Sequence, residues 1–144
     1  MPGEASAFCF LDSNIWLYAF VDQGESRKQV NAKQLIRQTA PVVSTQIVNE
    51  VCYNLTRKAG FSQQQIGRMI RSFYARYVVI AVDKAVMIDA ANLRSRYSFS
   101  FWDGLVVAAA LNANCGVLYS EDMQDGLLVE DRLLITNPFV LAES

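Results

Sequence analysis

Apolar and polar positions along this 144-residue chain follow two different periods. Short apolar runs rich in β-branched and aromatic residues predict strands, whereas longer stretches with apolar positions three or four residues apart predict amphipathic helices. The predicted strands are 7–14, 40–46, 77–82, 116–122 and 132–138. The predicted helices are 27–38, 46–60 with Gly60 as its C-cap, 62–77, 83–97 and 101–116.

Alternation of strands with helices predicts a mostly parallel central sheet that is covered by helices on both faces. The fold class is therefore α/β, a three-layer α/β/α sandwich. Strand 77–82 is expected to be buried, and helix 101–116 also, because it is apolar on nearly every face. Without an internal repeat or linker, residues 1–144 are predicted to form a single domain.

Composition narrows the chemistry available to the chain. Its 13 basic and 14 acidic residues give a net charge of -1, so the chain as a whole is not attracted to nucleic acid or membranes. It has no histidine, which excludes histidine general bases and histidine-containing zinc sites. The three cysteines are far apart in apolar surroundings and are predicted to be reduced core thiols. A metal ion would therefore be held by carboxylates, which favours Mg²⁺ or Mn²⁺.

The N-terminal region gives no indication of export or membrane insertion. It has no basic segment typical of a signal peptide, and Asp12 and Asn14 interrupt its first apolar run. No apolar run approaches the roughly 20 residues that span a bilayer. We therefore expect a cytoplasmic protein without a membrane partner.

Several acidic residues follow the predicted strands. Ligands of parallel sheets bind beyond the carboxyl ends of the strands, so side chains at these ends are expected to converge. The residues concerned are Asp12, Ser13 and Asn14 after the first strand, Ser120, Glu121, Asp122 and Asp125 after the fourth, and Glu50 and Asp103 on two helices.

Each acid also fits a structural role. Asp12 could begin a turn or cap a helix over 15–20, and Glu50 lies outside the apolar arc of its helix, where it could be solvated. Asp103 follows Ser100 in a capping-box pattern, and the aromatic residues at 101–102 are expected to bury its surroundings. The acids at 120–126 could form an ordinary turn. Together, however, such carboxylates would repel one another unless a divalent cation neutralised them.

Four stretches of the chain, "FLDSNIWLYA", "VNEVCYNL", "FWDGLVVAAAL" and "LYSEDMQDG", resemble the PIN-domain family in order and spacing, and most closely its VapC toxin branch. The resemblance covers essentially the whole chain. It implies a compact α/β/α sandwich that acts as a Mg²⁺- or Mn²⁺-dependent endoribonuclease, usually the toxin of a toxin–antitoxin pair. It also implies attack by water, which leaves a 5′-phosphate and a 3′-hydroxyl.

The same resemblance assigns residues to the site. Asp12, Glu50 and Asp103 match the three acids nearest the metal. The fourth acidic position falls in the last motif, where Asp122 ranks above Asp125 and Glu121 comes third. That motif commonly reads T-x-D/N-x-x-D-F, and this chain departs from it at Ser120 and Gly126. Asp122 or Asp125 could accept a proton, while Ser13, Asn14 and Ser120 are supporting residues, with Ser120 orienting a carboxylate or a water.

Basic and apolar side chains supply candidate contacts to partners. Candidate RNA ligands are Arg57, Lys58, Arg68, Arg71 and Arg76, although a solvated helix face is the favoured explanation for most of them. Aromatic side chains that could stack bases or pack in the core are Phe73, Tyr74 and Tyr77. The family implies an RNA substrate, a homodimer and a small antitoxin. Apolar residues that could pack on such a partner or complete the core are Val30, Leu35 and Ile36.

Two other functions compete with cleavage of RNA. The first is a catalytically inert PIN-fold module that binds RNA or protein. The second is a receiver-like regulatory domain, which needs two adjacent acids after the first strand and a lysine after the last. Neither requirement is met by the sequence at 11–14 or at 135–138, which disfavours this alternative.

Overall fold

The computed structural model describes residues 8–21 and 26–140, which form six helices and six strands. In chain order the elements are β1 (Phe8–Leu11), α1 (Ser13–Phe20), α2 (Arg27–Gln38), β2 (Ala40–Ser44), α3 (Thr45–Ala59), α4 (Gln63–Arg76), β3 (Val78–Ile80), α5 (Lys84–Arg96), α6 (Phe101–Asn112), β4 (Val117–Tyr119), β5 (Leu128–Val129) and β6 (Leu133–Thr136).

The described strands form one sheet in the order β3-β2-β1-β4-β6-β5. Every neighbouring pair is parallel except β5 and β6, which are antiparallel. The prediction of a mostly parallel sheet is therefore confirmed. Strand β5 was not predicted, because two residues are too short to produce a recognisable alternation of apolar and polar positions.

Helices cover both faces of the sheet because of the direction of the crossovers. The chain moves from β1 to β2 to β3 in one direction across the sheet and then returns past β1 to β4. Right-handed crossovers place the helices of these two paths on opposite faces. In agreement, α1 contacts α2 and α3, α3 contacts α4, and α5 contacts α6. The chain is thus an α/β/α sandwich, as predicted.

The core lies between the sheet and these two helical layers. Helix α6 is buried from Gly104 to Leu111, which confirms its predicted burial. On the other face, the fully buried Trp16 packs edge-on against Phe73, with ring centroids 5.1 Å apart, and against Tyr77. All three cysteines are free and buried, as predicted.

Several element boundaries differ from the predicted ones. The first strand ends at Leu11 and not at residue 14, because Asp12 caps a helix that begins at Ser13. The helix predicted over 101–116 ends at Asn112. Gly60 ends α3 in the left-handed conformation, with φ of 68°, as predicted. Strand 77–82 is shorter than predicted, and the expectation that it is buried is wrong. It forms the edge of the sheet, which leaves Val78 54% exposed. Ala7, the first residue of the first predicted strand, lies outside the described residues.

No helix of the described ranges is long and apolar enough to cross a membrane.

Candidate active site

Strands β1 and β4 are parallel neighbours at the centre of the sheet, and their carboxyl ends open onto the same edge. The chain leaves β1 toward β2, whereas β4 continues toward β6 on the other side. Such a point, where the connections diverge, is where open α/β sheets form a ligand-binding crevice. Asp12 follows β1 here, and Ser120, Glu121 and Asp122 follow β4.

Asp12 is the most buried acid at this edge, with 9% of its surface exposed. Its Oδ1 accepts a hydrogen bond from the backbone N–H of Ser13 at 2.8 Å, which makes it the N-cap of α1. Its Oδ2 accepts a hydrogen bond from the Ser120 hydroxyl at 2.9 Å. Its backbone N–H donates to the carbonyl of Tyr119 at 3.0 Å. The carboxylate is therefore a helix cap and is also fixed toward the end of β4.

Ser120 and Asn14 connect Asp12 to the turn that contains Asp122. The buried Ser120 Oγ accepts hydrogen bonds from the backbone N–H groups of Asp122 and Met123, both at 3.3 Å. The Asn14 side-chain amide donates to Asp122 Oδ2 at 2.6 Å. These contacts join the end of β1 to the end of β4 through side chains 108 residues apart in sequence.

Glu50 and Asp103 reach the same region from helices α3 and α6. The half-buried Glu50 accepts a hydrogen bond from the Gln46 amide at 3.0 Å. The backbone N–H of Asp103 donates to the Ser100 hydroxyl at 3.0 Å, so the serine caps α6. The Asp103 carboxylate accepts no hydrogen bond from any described residue. Its oxygens therefore have free lone pairs for another ligand.

Electrostatic repulsion links these acids. Burial raises the pKa of Asp12 most strongly; hydrogen bonds from Ser13 and Ser120 oppose that shift, and the negative charges of Asp103 and Asp122 add to it. Burial also raises the pKa of Glu50, as do the charges of Asp12 and Asp103. Like charges that interact this way favour the binding of a cation.

The four acids offer oxygen ligands, and none of them forms an ion pair with a described lysine or arginine. Hard carboxylate oxygens suit Mg²⁺ and Mn²⁺. No three acids or cysteines within residues 8–21 and 26–140, however, are close enough together to hold a metal ion. The donor chemistry fits a hard divalent cation, but the carboxylates stand in an open arrangement.

Asp125 and Glu121 point to other partners. Asp125 is exposed, and its Oδ1 accepts the backbone N–H of Asn137 at 2.8 Å. Glu121 accepts the hydroxyl of Tyr18 at 2.7 Å and forms an ion pair with Lys28. Burial by itself raises the pKa of Glu121. The hydrogen bonds from Lys28 and Tyr18 outweigh this effect, so the pKa of Glu121 is lowered. The structure thus brings Asp122, rather than its two acidic neighbours, toward Asp12.

The predicted RNA-binding residues are spread over the surface. Arg57 lines a groove that also contains Glu50. Lys58 is exposed in the last turn of α3, and the Arg71 guanidinium lies near Gly67 on α4. A separate groove on α4 is lined by residues that include Arg68, Arg76 and Tyr77.

The aromatic and apolar candidates for partner contacts divide between core and surface. Phe73 is a core residue, whereas Tyr74 is 56% exposed. Val30 is 51% exposed, but Leu35 and Ile36 pack against the core.

Sequence reasoning missed the surroundings of Asp103. The expectation that the preceding aromatics bury this acid is wrong, because Phe101 is 63% and Trp102 is 65% exposed. Arg94 lies over Phe101, with its guanidinium 4.0 Å from the ring centroid, and donates to the Phe101 carbonyl at 2.8 Å. A Cβ at Gly104 would stand 2.8 Å from Arg94 Cγ, so glycine leaves room for this contact. No sequence signal pairs Arg94 with the start of the next helix.

Comparisons with known proteins identify the family of this chain. The family model of the PIN domain matches residues 9–124. The chain therefore belongs to the PIN-domain family. A sequence comparison with curated proteins found no significant match.

Several solved structures share the fold at low sequence identity. A toxin–antitoxin complex from Klebsiella pneumoniae is 18% identical, with a TM-score of 0.68 over 91% of this chain and 98% of that chain. VapC20 from Mycobacterium tuberculosis, a toxin that cleaves the sarcin–ricin loop, is 18% identical, with a TM-score of 0.65 over 79% of this chain and 89% of that chain. VapBC2 from Rickettsia felis, bound to a DNA fragment from its promoter, is 18% identical, with a TM-score of 0.59 over 90% of this chain and 98% of that chain.

Proposed function

We propose that this PIN-domain protein is a Mg²⁺- or Mn²⁺-dependent endoribonuclease. The observation that carries the proposal is the buried Asp12 carboxylate at the end of the central strands. It lies near Glu50, Asp103 and Asp122, and it forms no ion pair with a described lysine or arginine. Retaining several such acids costs stability, and binding of a divalent cation would offset that cost.

The acids share one role in this proposal, and Asp122 has a second. Asp12, Glu50, Asp103 and Asp122 would hold one or two hard cations through their carboxylate oxygens. When bound, such a cation activates water and stabilises negative charge on a phosphate. Ser120 and Asn14 fix the orientation of Asp12 and Asp122. Asp122 lies at the open, exposed side of the crevice, where it can accept the proton of the attacking water.

We also propose that the protein is a toxin that is paired with a small antitoxin, forms a homodimer and acts in the cytoplasm. The similarity to a toxin–antitoxin complex, to a toxin that cleaves the sarcin–ricin loop and to VapBC2 supports this role. Exposed apolar side chains such as Val30, Tyr74 and Ile70 offer surface for a twin or an antitoxin.

A second candidate is a PIN-fold module that binds RNA or protein without cutting. The open arrangement of acids among the described residues favours it, since these carboxylates do not by themselves form a ready cation site. The two candidates differ in whether added metal produces cleavage.

The experiment that separates them is RNA cleavage by purified protein in Mg²⁺, Mn²⁺ or EDTA. Wild type should cut RNA with either metal and not in EDTA. Asp12→Ala and Asp103→Asn should reduce the rate by at least about 10²-fold, the scale of losing one catalytic group. Asp89→Asn removes an exposed charge from α5 and should cleave as wild type. Equal rates for all four proteins would reject the proposed activity.

The toxin role has its own test. Induced expression of the wild-type chain should arrest growth, and the Asp12→Ala and Asp103→Asn variants should not. Co-expression of the product of an adjacent small reading frame should restore growth. Growth that is unaffected by wild type, despite cleavage in vitro, would leave a ribonuclease without a toxin role.

A further inference from the structure

A groove of about 940 Å³ adjoins the acidic crevice between α3 and the start of α6. Glu50 belongs to both, because it lines the groove and interacts with the charges of Asp12 and Asp103. Trp102, which directly precedes Asp103, also lines the groove. A ligand that occupies the crevice would therefore extend naturally into this groove.

Two aromatic side chains line the groove and remain exposed to solvent. Trp102 is 65% exposed and Tyr53 is 57% exposed. Large aromatic side chains with this much free surface beside a polar site are typical of ligand recognition. Nucleic-acid bases stack on such rings in a manner that tolerates different sequences.

The walls of the groove also carry side-chain amides that suit the edges of bases. Asn49, Asn54 and Gln46 line it. The Gln46 amide nitrogen donates to Glu50, but its Oε1 has no hydrogen-bond partner in the described part of the chain. That oxygen is buried, so the groove meets base edges through its other amides, including the exposed Asn49. Recognition through base edges is the usual mode for unpaired RNA.

A positive charge completes the groove. Arg57 lies over the Tyr53 ring, 5.5 Å from its centroid, and donates to the Tyr53 hydroxyl at 3.1 Å. It forms no ion pair within the described ranges, so its charge is available for a phosphate. The groove thus combines a cation, amides and exposed rings beside a cluster of acids.

We propose that this groove binds an unpaired nucleotide of the RNA next to the cleaved bond, with its base stacked on Trp102 and its phosphate on Arg57. The proposal rests on the ribonuclease function proposed above and adds the residues that hold the base and its phosphate. An unpaired base can leave its stack and enter the groove. A continuous duplex does not present such a base.

Intrinsic fluorescence tests this directly, because the chain has two tryptophans in opposite environments. Trp16 is fully buried, whereas Trp102 is exposed in the groove. A short single-stranded RNA should quench the emission of Trp102 in an Asp103→Asn background, where the RNA is not consumed. An abasic oligonucleotide with the same phosphates should leave the emission unchanged, and duplex RNA should quench much less.

Substitutions then test whether Trp102 binds RNA by stacking on a base or whether any exposed aromatic residue has the same effect. Trp102→Ala should weaken binding of single-stranded RNA about ten- to hundredfold, the range for one stacked base, and Trp102→Tyr should retain most of it. Phe101→Ala is the matched control, because Phe101 is equally exposed but lies under Arg94 and does not line the groove. It should bind RNA as wild type. Buried Trp16 emission reports whether each variant is folded.

The outcomes distinguish this proposal from the ribonuclease proposal. If wild type cleaves RNA but Trp102 is not quenched and Trp102→Ala binds normally, the nucleotide site is wrong and the ribonuclease function stands. If wild type cleaves no RNA yet single-stranded RNA quenches Trp102, the nucleotide site stands and the nuclease function is wrong. If a co-purified protein quenches the emission of Trp102 and RNA does not, the proposed nucleotide site is wrong.

Discussion

The Ser120 hydroxyl donates a 2.9 Å hydrogen bond to Asp12 Oδ2, and both residues are buried at the end of the central strands β1 and β4. This contact joins two motifs that are 108 residues apart. Because Ser120 also accepts the N–H groups of Asp122 and Met123, one hydroxyl orients both sides of the acidic crevice. Ser120, which the sequence predicts to be only a supporting residue, thus lies at the centre of the hydrogen bonds that organise the crevice.

Replacement of this serine should affect both stability and activity. In Ser120→Ala, Asp12 Oδ2 and two backbone amides lose a buried partner, which should lower the free energy of unfolding by about 1–3 kcal/mol. Cleavage should fall about 10–100-fold, as is usual when a residue that orients a metal ligand is removed. Urea unfolding and RNA cleavage measure the two effects. Ser95→Ala, at an exposed position on α5, should change neither. Wild-type behaviour of Ser120→Ala would show that the hydroxyl is dispensable.

Burial of Asp12, together with repulsion from Asp103 and Asp122, predicts an unusual response to pH. The raised pKa of folded Asp12 means that the folded state keeps its proton where the unfolded chain has lost it. Stability from this group is therefore complete below about pH 4, its unfolded pKa, and is lost as pH rises through the folded value. Asp12→Asn removes this loss, so without metal it should unfold at a higher urea concentration than wild type near neutral pH.

The matched control for that measurement is Asp125→Asn. It also removes one negative charge and keeps the oxygen that accepts the Asn137 N–H, but Asp125 is exposed, so the urea midpoint of this variant near neutral pH should match that of wild type. Added Mg²⁺ should stabilise wild type and not Asp12→Asn. A metal-free Asp12→Asn protein that is no more stable than wild type at neutral pH would contradict the raised pKa of Asp12.

The choice between Asp122 and Asp125 can be tested through activity. Asp122 interacts electrostatically with Asp12, whereas Asp125 accepts a backbone N–H at the start of the segment after β6. Asp122→Asn should reduce cleavage by about 10²-fold or more, on the scale of a lost proton acceptor. Asp125→Asn should cleave at nearly the wild-type rate. The reverse order would make Asp125 the fourth acid of the site.

The position of Arg57 predicts how RNA binding depends on salt. Each phosphate contact to single-stranded nucleic acid contributes about 0.7 to the slope of log K against log salt concentration. Arg57→Gln should therefore reduce that slope by about 0.7, while Arg37→Gln, which alters an exposed position on α2, should leave it unchanged. Filter binding across a series of salt concentrations measures both. Identical slopes for wild type and Arg57→Gln would exclude this phosphate contact.

The cysteines should be chemically inert in the folded protein. Burial, together with the charge of Cys9, raises the pKa of Cys115 to about 12, and burial raises the pKa of Cys9 and Cys52. Because the thiolate is the reactive form, none should react rapidly with a thiol reagent at pH 8. Addition of denaturant should release three reactive groups. Fast reaction of the native protein would mean that a buried segment opens readily.

Local signals in the sequence predicted most of the fold. Apolar periodicity identified helices α2 to α6 and the five longer strands because burial of one face imposes that pattern. Gly60 marked the end of α3 because its φ of 68° suits a residue without a side chain. Strand β5 and the edge position of β3 were not predicted, since a two-residue strand carries no period and the order of strands is a property of the whole sheet.

The sequence by itself determined which acids could form a site, because carboxylates at strand ends of a parallel sheet must meet at one edge. Only the tertiary structure decided their relations. It oriented Asp122 toward Asn14, paired Glu121 with Lys28 and left Trp102 exposed beside Glu50. These outcomes depend on contacts between residues that are distant in sequence, where no local period or cap constrains the side chain. The chemistry is therefore encoded locally, whereas its geometry follows from the packing of the sheet.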